Sequence, residues 1–167
     1  LSELRALQRE PVDSETYATA VEIVERVRKG GRKALLQEAE RLGDITSGQR
    51  IAYGRAALEL AVQELGDHER GVLERTAQRI QKFAQGQRSC LRDLEIEIPG
   101  GRAGHVFTPV DSAGCYAPGG RFSLPSTVLM TTVTARVAGV ERIMVASPKP
   151  TPVTLAAAGI AGADSLV

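Results

Sequence analysis

Between residues 90 and 94 the apolar side chains of this 167-residue chain change their spacing. Upstream they recur every three or four residues, as in Leu73, Thr76, Ile80 and Phe83. Downstream Leu94, Ile96 and Ile98 alternate with Asp93, Glu95 and Glu97. A three-to-four spacing buries one stripe of a helix, and an alternation buries one face of a strand, so no single element accommodates both. The chain therefore has to divide into a helical first part and a second part that contains strands.

Within the first part, Asp13 or Ser14 is placed to cap a helix whose inner face carries Tyr17, Ala20, Val21, Val24 and Val27. Gly30 and Gly31 end it, a second helix with Leu35, Ala39 and Leu42 stops at Gly43, and a third with Leu58, Ala61, Val62 and Leu65 stops at Gly66. The fourth, around Leu73 to Phe83, is the longest. After the strand at Leu94 to Ile98, the turn signal Pro99-Gly100-Gly101 predicts a hairpin whose return strand runs from His105 to Val110. Asp111 to Ala113 reads as the boundary between structural units. From Gly114 the order is strand (Cys115 to Ala117), helix (Ser126 to Val137), strand (Arg142 to Ala146), helix (Pro152 to Ile160) and a strand beginning at Leu166. Strands that alternate with helices in this way favour a parallel sheet. The expected fold class is α/β: residues 1–112 form a helical segment with a β-hairpin, and residues 113–167 the first part of an incomplete Rossmann-like parallel βαβαβ unit.

Charge and hydropathy narrow the possible partners. With 21 basic and 20 acidic side chains the net charge is +1, and no basic stripe interleaved with aromatics is present, so nucleic acid is not an expected partner. Apolar runs are interrupted by Thr, Arg or Gly well short of the roughly 20 residues a membrane span needs. A cytoplasmic protein without membrane contact is expected. Cys90 and Cys115 are too few and too differently placed for a disulfide framework, and two reduced, partly buried thiols are expected. The chain opens at Leu1 without a methionine and closes on a strand-like Ser165-Leu166-Val167, which reads as a portion of a longer polypeptide.

Function concentrates in Pro118-Gly119-Gly120, which follows the first strand of the βαβαβ unit. In a parallel sheet, ligands bind beyond the carboxyl ends of the strands, where this turn falls. Glycines there let a flat or phosphorylated ligand approach the main chain. Ser126 suits the N-cap of the next helix, whose free N–H groups attract an anion. Neither G-x-G-x-x-G nor a P-loop pattern is present, and on these residues alone a purely structural turn is the commoner reading. His68 and His105 lie far apart and lack partners at metal-ligand spacing.

The wording of this region is more specific than its shape. Gly114-Cys115-Tyr116-Ala117-Pro118-Gly119-Gly120, followed by Leu124-Pro125-Ser126-Thr127-Val128-Leu129-Met130, closely resembles the histidinol dehydrogenase family. Val137-Ala138-Gly139-Val140, Ser147-Pro148, the junction Val27 to Leu35 and the helix Ala77 to Gln87 are similar to further segments of that family, so the resemblance spans nearly the whole chain. It implies an enzyme that oxidises L-histidinol through histidinal to L-histidine, the last step of histidine biosynthesis. NAD would be the oxidant and a zinc ion would hold the substrate, in a homodimer. Tyr116 takes the family's NAD-contacting position, with Pro118, Gly119, Gly120 and Ser126 as neighbouring cofactor-binding candidates. The family's zinc ligands and its Glu-His acid-base pair belong to segments beyond Val167, so no catalytic or metal residue is assigned in this chain. Two departures bear on the substrate: Arg121-Phe122 replaces smaller residues, and Ala84 stands where the family has histidine. Two alternatives stay open, a paralogous NAD-dependent dehydrogenase of another polar alcohol such as a sulfonated diol, and a non-catalytic binding or scaffold module.

Overall fold

The computed structural model describes residues 12–46, 48–119 and 122–167. By contact the chain separates into two compact units, Leu1–Gln49 and Arg50–Val167; the expected division near residue 112 falls within the second.

In the first unit, α1 (Ser14–Arg41) is broken at Gly31, which takes φ 58° and ψ −146°. Side chains twelve residues apart on a straight helix would be separated by about 18 Å. Yet Arg26 Nε donates to Glu38 Oε1 at 2.7 Å. The element is therefore two helices folded back on each other about Gly31, as the paired glycines predicted. Asp13 caps the first by accepting the Thr16 N–H at 2.8 Å. Arg26, and after it Arg41, hold the Glu38 carboxyl below its ordinary range.

The second unit begins with β1 (Tyr53–Gly54), α2 (Arg55–Glu64) and α3 (Asp67–Ser89). A hairpin follows, β2 (Leu94–Ile98) paired antiparallel with β3 (Gly101–His105). The expected return strand at 105–110 is corrected here. The two-residue Pro99-Gly100 turn brings Gly101 directly opposite Ile98, so the ladder is used up by the time the chain reaches His105. Residues beyond are tied by side chains instead: the Phe107 N–H donates to Asp93 Oδ1 at 2.9 Å.

Then come β4 (Ser112–Tyr116), α4 (Pro125–Ala138), β5 (Arg142–Ala146), α5 (Pro152–Ile160) and β6 (Ser165–Leu166). The sheet order is β1-β6-β5-β4. β4, β5 and β6 are mutually parallel, as the βαβαβ reading requires, and β1 joins antiparallel to β6. The sequence reading contained no β1, since two residues carry no periodicity to detect. The first strand also starts earlier than expected, at Ser112, because ladder bonds need backbone and not apolar side chains.

Alternation along the strands decides which sheet face is covered. Cys115, Ile143, Val145 and Leu166 are buried under α4 and α5, together with Val128, Leu129, Ala156 and Ala157. Ser112, Gly114, Tyr116, Arg142 and Met144 on the opposite face are exposed. Helix α2 packs on α5, and α3 on α4.

Candidate functional site

The carboxyl ends of β4 and β5 lie side by side, Tyr116 opposite Ala146. Two strand-to-helix loops leave this edge: residues 117–124 lead into α4, and residues 147–151 into α5. The ladder is prolonged past the strands by Ala117 N–H to Ala146 O and Ser147 N–H to Val167 O, each 2.9 Å.

Tyr116 closes β4 with its ring on the open sheet face, 63% exposed. Its accessibility suits a side chain that offers a ring and a hydroxyl to a ligand. Pro118 is half-buried and Gly119 exposed. Gly120 and Arg121 lie outside the described residues.

Ser126 is not the N-cap. Helix α4 starts one residue earlier, at Pro125, whose fixed φ suits the first helical position. The N-cap is then Leu124, φ −117° and ψ 67°, which offers no side-chain acceptor. Ser126 is exposed in the first turn. The first-turn N–H groups thus lack a capping side chain, and neither α4 nor α5 has an acidic residue in its first turn. Both helix dipoles leave positive ends at this edge.

The sequence reading gave no role to the second loop. Pro148 touches Gly119: a Cβ there would stand 2.6 Å from Pro148 Cγ. Lys149 follows with φ 48°. Its signal in the sequence is a lysine between two prolines, Pro148-Lys149-Pro150, which fixes backbone on both sides.

Elsewhere the chemistry is sparse. A hollow of about 870 Å³ lies at the far end of α4, lined by residues such as Leu91, Phe107, Pro109 and Val137, and does not include Tyr116. Cys90 is exposed, against expectation, because it stands at the C-cap of α3; Cys115 is buried in β4, and neither forms a disulfide. His105 Nε2 lies 3.2 Å from Arg92 O, and its ring meets Phe107 edge-on at 5.1 Å. Among the described residues no three His, Cys, Asp or Glu side chains cluster closely enough to hold a metal ion, and no helix is long and apolar enough to cross a membrane.

Comparison with known proteins gives one family. The model for histidinol dehydrogenase matches residues 7–167. Histidinol dehydrogenase of Methanococcus maripaludis is 36% identical over 152 residues, 89% of this chain and 36% of the relative. That of Haloarcula marismortui is 40% identical over 148 residues, covering 87% and 34%. "Histidinol dehydrogenase homolog 1" of Mesorhizobium japonicum is 36% identical over 149 residues, covering 86% and 30%. The crystal structure of histidinol dehydrogenase from Elizabethkingia anophelis superposes with a TM-score of 0.79 at 25% identity, over 99% of this chain and 40% of that one. The chain spans about a third of the length of the curated relatives it matches.

Proposed function

The chain belongs to the histidinol dehydrogenase family, and on that ground we propose that it is the N-terminal portion of an NAD- and zinc-dependent enzyme oxidising L-histidinol through histidinal to L-histidine. Its own share is one wall of the NAD cleft, on residues 113–167, with residues 1–112 as the preceding helical segment and extended pair. The complete protein would be a cytoplasmic homodimer.

The observation that carries this reading is the edge at Tyr116. An exposed aromatic ring, an uncapped helix N-terminus without nearby acid and a proline-glycine turn meet at the carboxyl end of β4. These suit a dinucleotide: the ring would meet a flat face of NAD, and the α4 N-terminus would favour its pyrophosphate. When bound, NAD supplies the hydride acceptor. Tyr116 and the α4 backbone would hold and orient it. Zinc has no such seat in this portion: no ligand cluster is found among the described residues.

Titration of the full-length enzyme with NADH, read by fluorescence, tests the assignment. Tyr116→Ala should raise the dissociation constant about tenfold, near 1.4 kcal/mol, and Gly120→Val should raise it without lowering the unfolding midpoint. Unchanged affinity in both variants would remove the cofactor from this edge. A second reading keeps the chemistry and changes the substrate. The Mesorhizobium relative, named only as a homologue, is as similar at 36% as the Methanococcus enzyme at 36%, so another polar alcohol is a competing substrate. Turnover of histidinol against other alcohols by the full-length enzyme separates the two.

A further inference from the structure

Gly119 belongs to the first strand-to-helix loop, but the place its side chain would take is filled from the second. A Cβ on Gly119 would stand 2.6 Å from Pro148 Cγ and 2.8 Å from the Pro148 carbonyl oxygen. Non-bonded carbons settle at about 3.5–4.0 Å, so only glycine fits this seat.

The second loop is built to hold its shape. It leaves the sheet through the Ser147 N–H bond to Val167 O at 2.9 Å and enters α5 through Thr151, whose hydroxyl accepts the Thr154 N–H at 3.3 Å. Pro148 and Pro150 fix φ between those anchors. Lys149, with φ 48°, is the one non-glycine residue of positive φ among the described residues. A following proline makes that conformation costlier still. Such strain persists only where surrounding structure imposes it.

We propose that Pro148 is a positioning residue. Its ring and carbonyl set the height of the Pro118-Gly119 backbone above the end of β4, and so the pose of NAD against Tyr116. The second half of that statement rests on the NAD reading above; the first rests on the contact alone.

The experiment compares Pro148→Ala, Gly119→Ala and the double variant. It reads the ¹⁵N order parameter of Gly119 and the unfolding midpoint in the 167-residue chain, and the affinity for NADH in the full-length enzyme. Pro148→Ala should lower the Gly119 order parameter from about 0.85 to below about 0.6, leave β5 rigid and the midpoint unchanged, and weaken NADH binding about tenfold. Gly119→Ala should weaken binding similarly, and the double variant should lose less than the two single losses combined, because removing the ring relieves its share of the clash while the carbonyl contact stays. An unaltered Gly119 order parameter in Pro148→Ala, or additive losses, would overturn the proposal. Should the unmutated full-length enzyme bind no NADH while Gly119 still loosens in Pro148→Ala, the seat stands and the cofactor reading falls.

Discussion

Asp164 gathers three segments of the second unit onto one carboxylate. It accepts the Ile143 N–H at 2.8 Å and Arg136 Nη2 at 2.7 Å, and it pairs with Arg55 at the start of α2. Arg136 also donates to the carbonyl oxygens of Val140, Glu141 and Gly162, so one guanidinium ties the end of α4 to the loops that start β5 and β6. The Ile143 N–H above all, with the two guanidiniums, brings the Asp164 carboxyl down from 3.8 to about 2. A carboxyl more acidic folded than unfolded contributes stability above the unfolded value and loses it as pH falls toward the folded one. Asp164 should therefore stabilise the fold fully above pH ~4 and progressively less toward pH ~2. After allowance for its partial exposure, Asp164→Asn should cost about 1–2 kcal/mol at neutral pH and remove that part of the acid sensitivity. Urea unfolding at pH 7, 4 and 2.5 measures both; a variant as acid-sensitive as the parent would show that the carboxylate does not carry the effect.

At the scale of elements, helix α2 packs on α5. Gly159 lets them approach: a Cβ there would lie 2.8 Å from Leu58 O and 2.8 Å from Val62 Cγ2. Three successive alanines, Ala156 to Ala158, are fully buried beside it and keep the same helix slim. Gly159→Val should force the helices apart and destabilise by about 1–3 kcal/mol, seen as a lower unfolding midpoint. No loss would mean that α2 shifts freely on α5. Most of the alternating and helical patterns named these elements correctly: α2 to α5, β4 and β5 bury one face that their sequence records, whereas α1 buries no residue and Leu94, Ile96 and Ile98 of β2 stay exposed although they alternate. The hairpin return strand was misplaced for the converse reason. Val106, Phe107 and Val110 look strand-like, yet pairing is set by the turn, and the turn had already matched Gly101 to Ile98.

At the scale of the whole second unit, the parallel strands β4 to β6 have that unit's helices on one face, while Tyr116 and Met144 on the other are 63% and 48% exposed. Parallel sheets are usually covered on both faces. Chemistry is also unevenly placed: the cofactor candidates lie at one sheet edge, and no metal-ligand cluster is found among the described residues. A zinc site in a catalytic centre takes three protein ligands at least. The 167-residue chain should therefore retain no stoichiometric zinc after dialysis and show no turnover of histidinol with NAD. Metal analysis and a dehydrogenase assay check both, and tightly held zinc or robust turnover would place the chemistry within this chain.

Periodicity determined the helices and the βαβαβ order, paired glycines marked the break at Gly31, and the Pro118-Gly119-Gly120 turn marked the edge beyond β4. These are local or repeating features, and each residue's neighbours along the chain are enough to express them. The tertiary structure decided what depends on residues distant in sequence. It placed β1 against β6 and made Leu124 rather than Ser126 the N-cap. It also packed Gly119 against Pro148, 29 positions away, so part of a glycine that reads as open backbone is seated by another loop. A side chain's absence is visible in sequence; what fills the space it leaves is settled only when separate segments pack together.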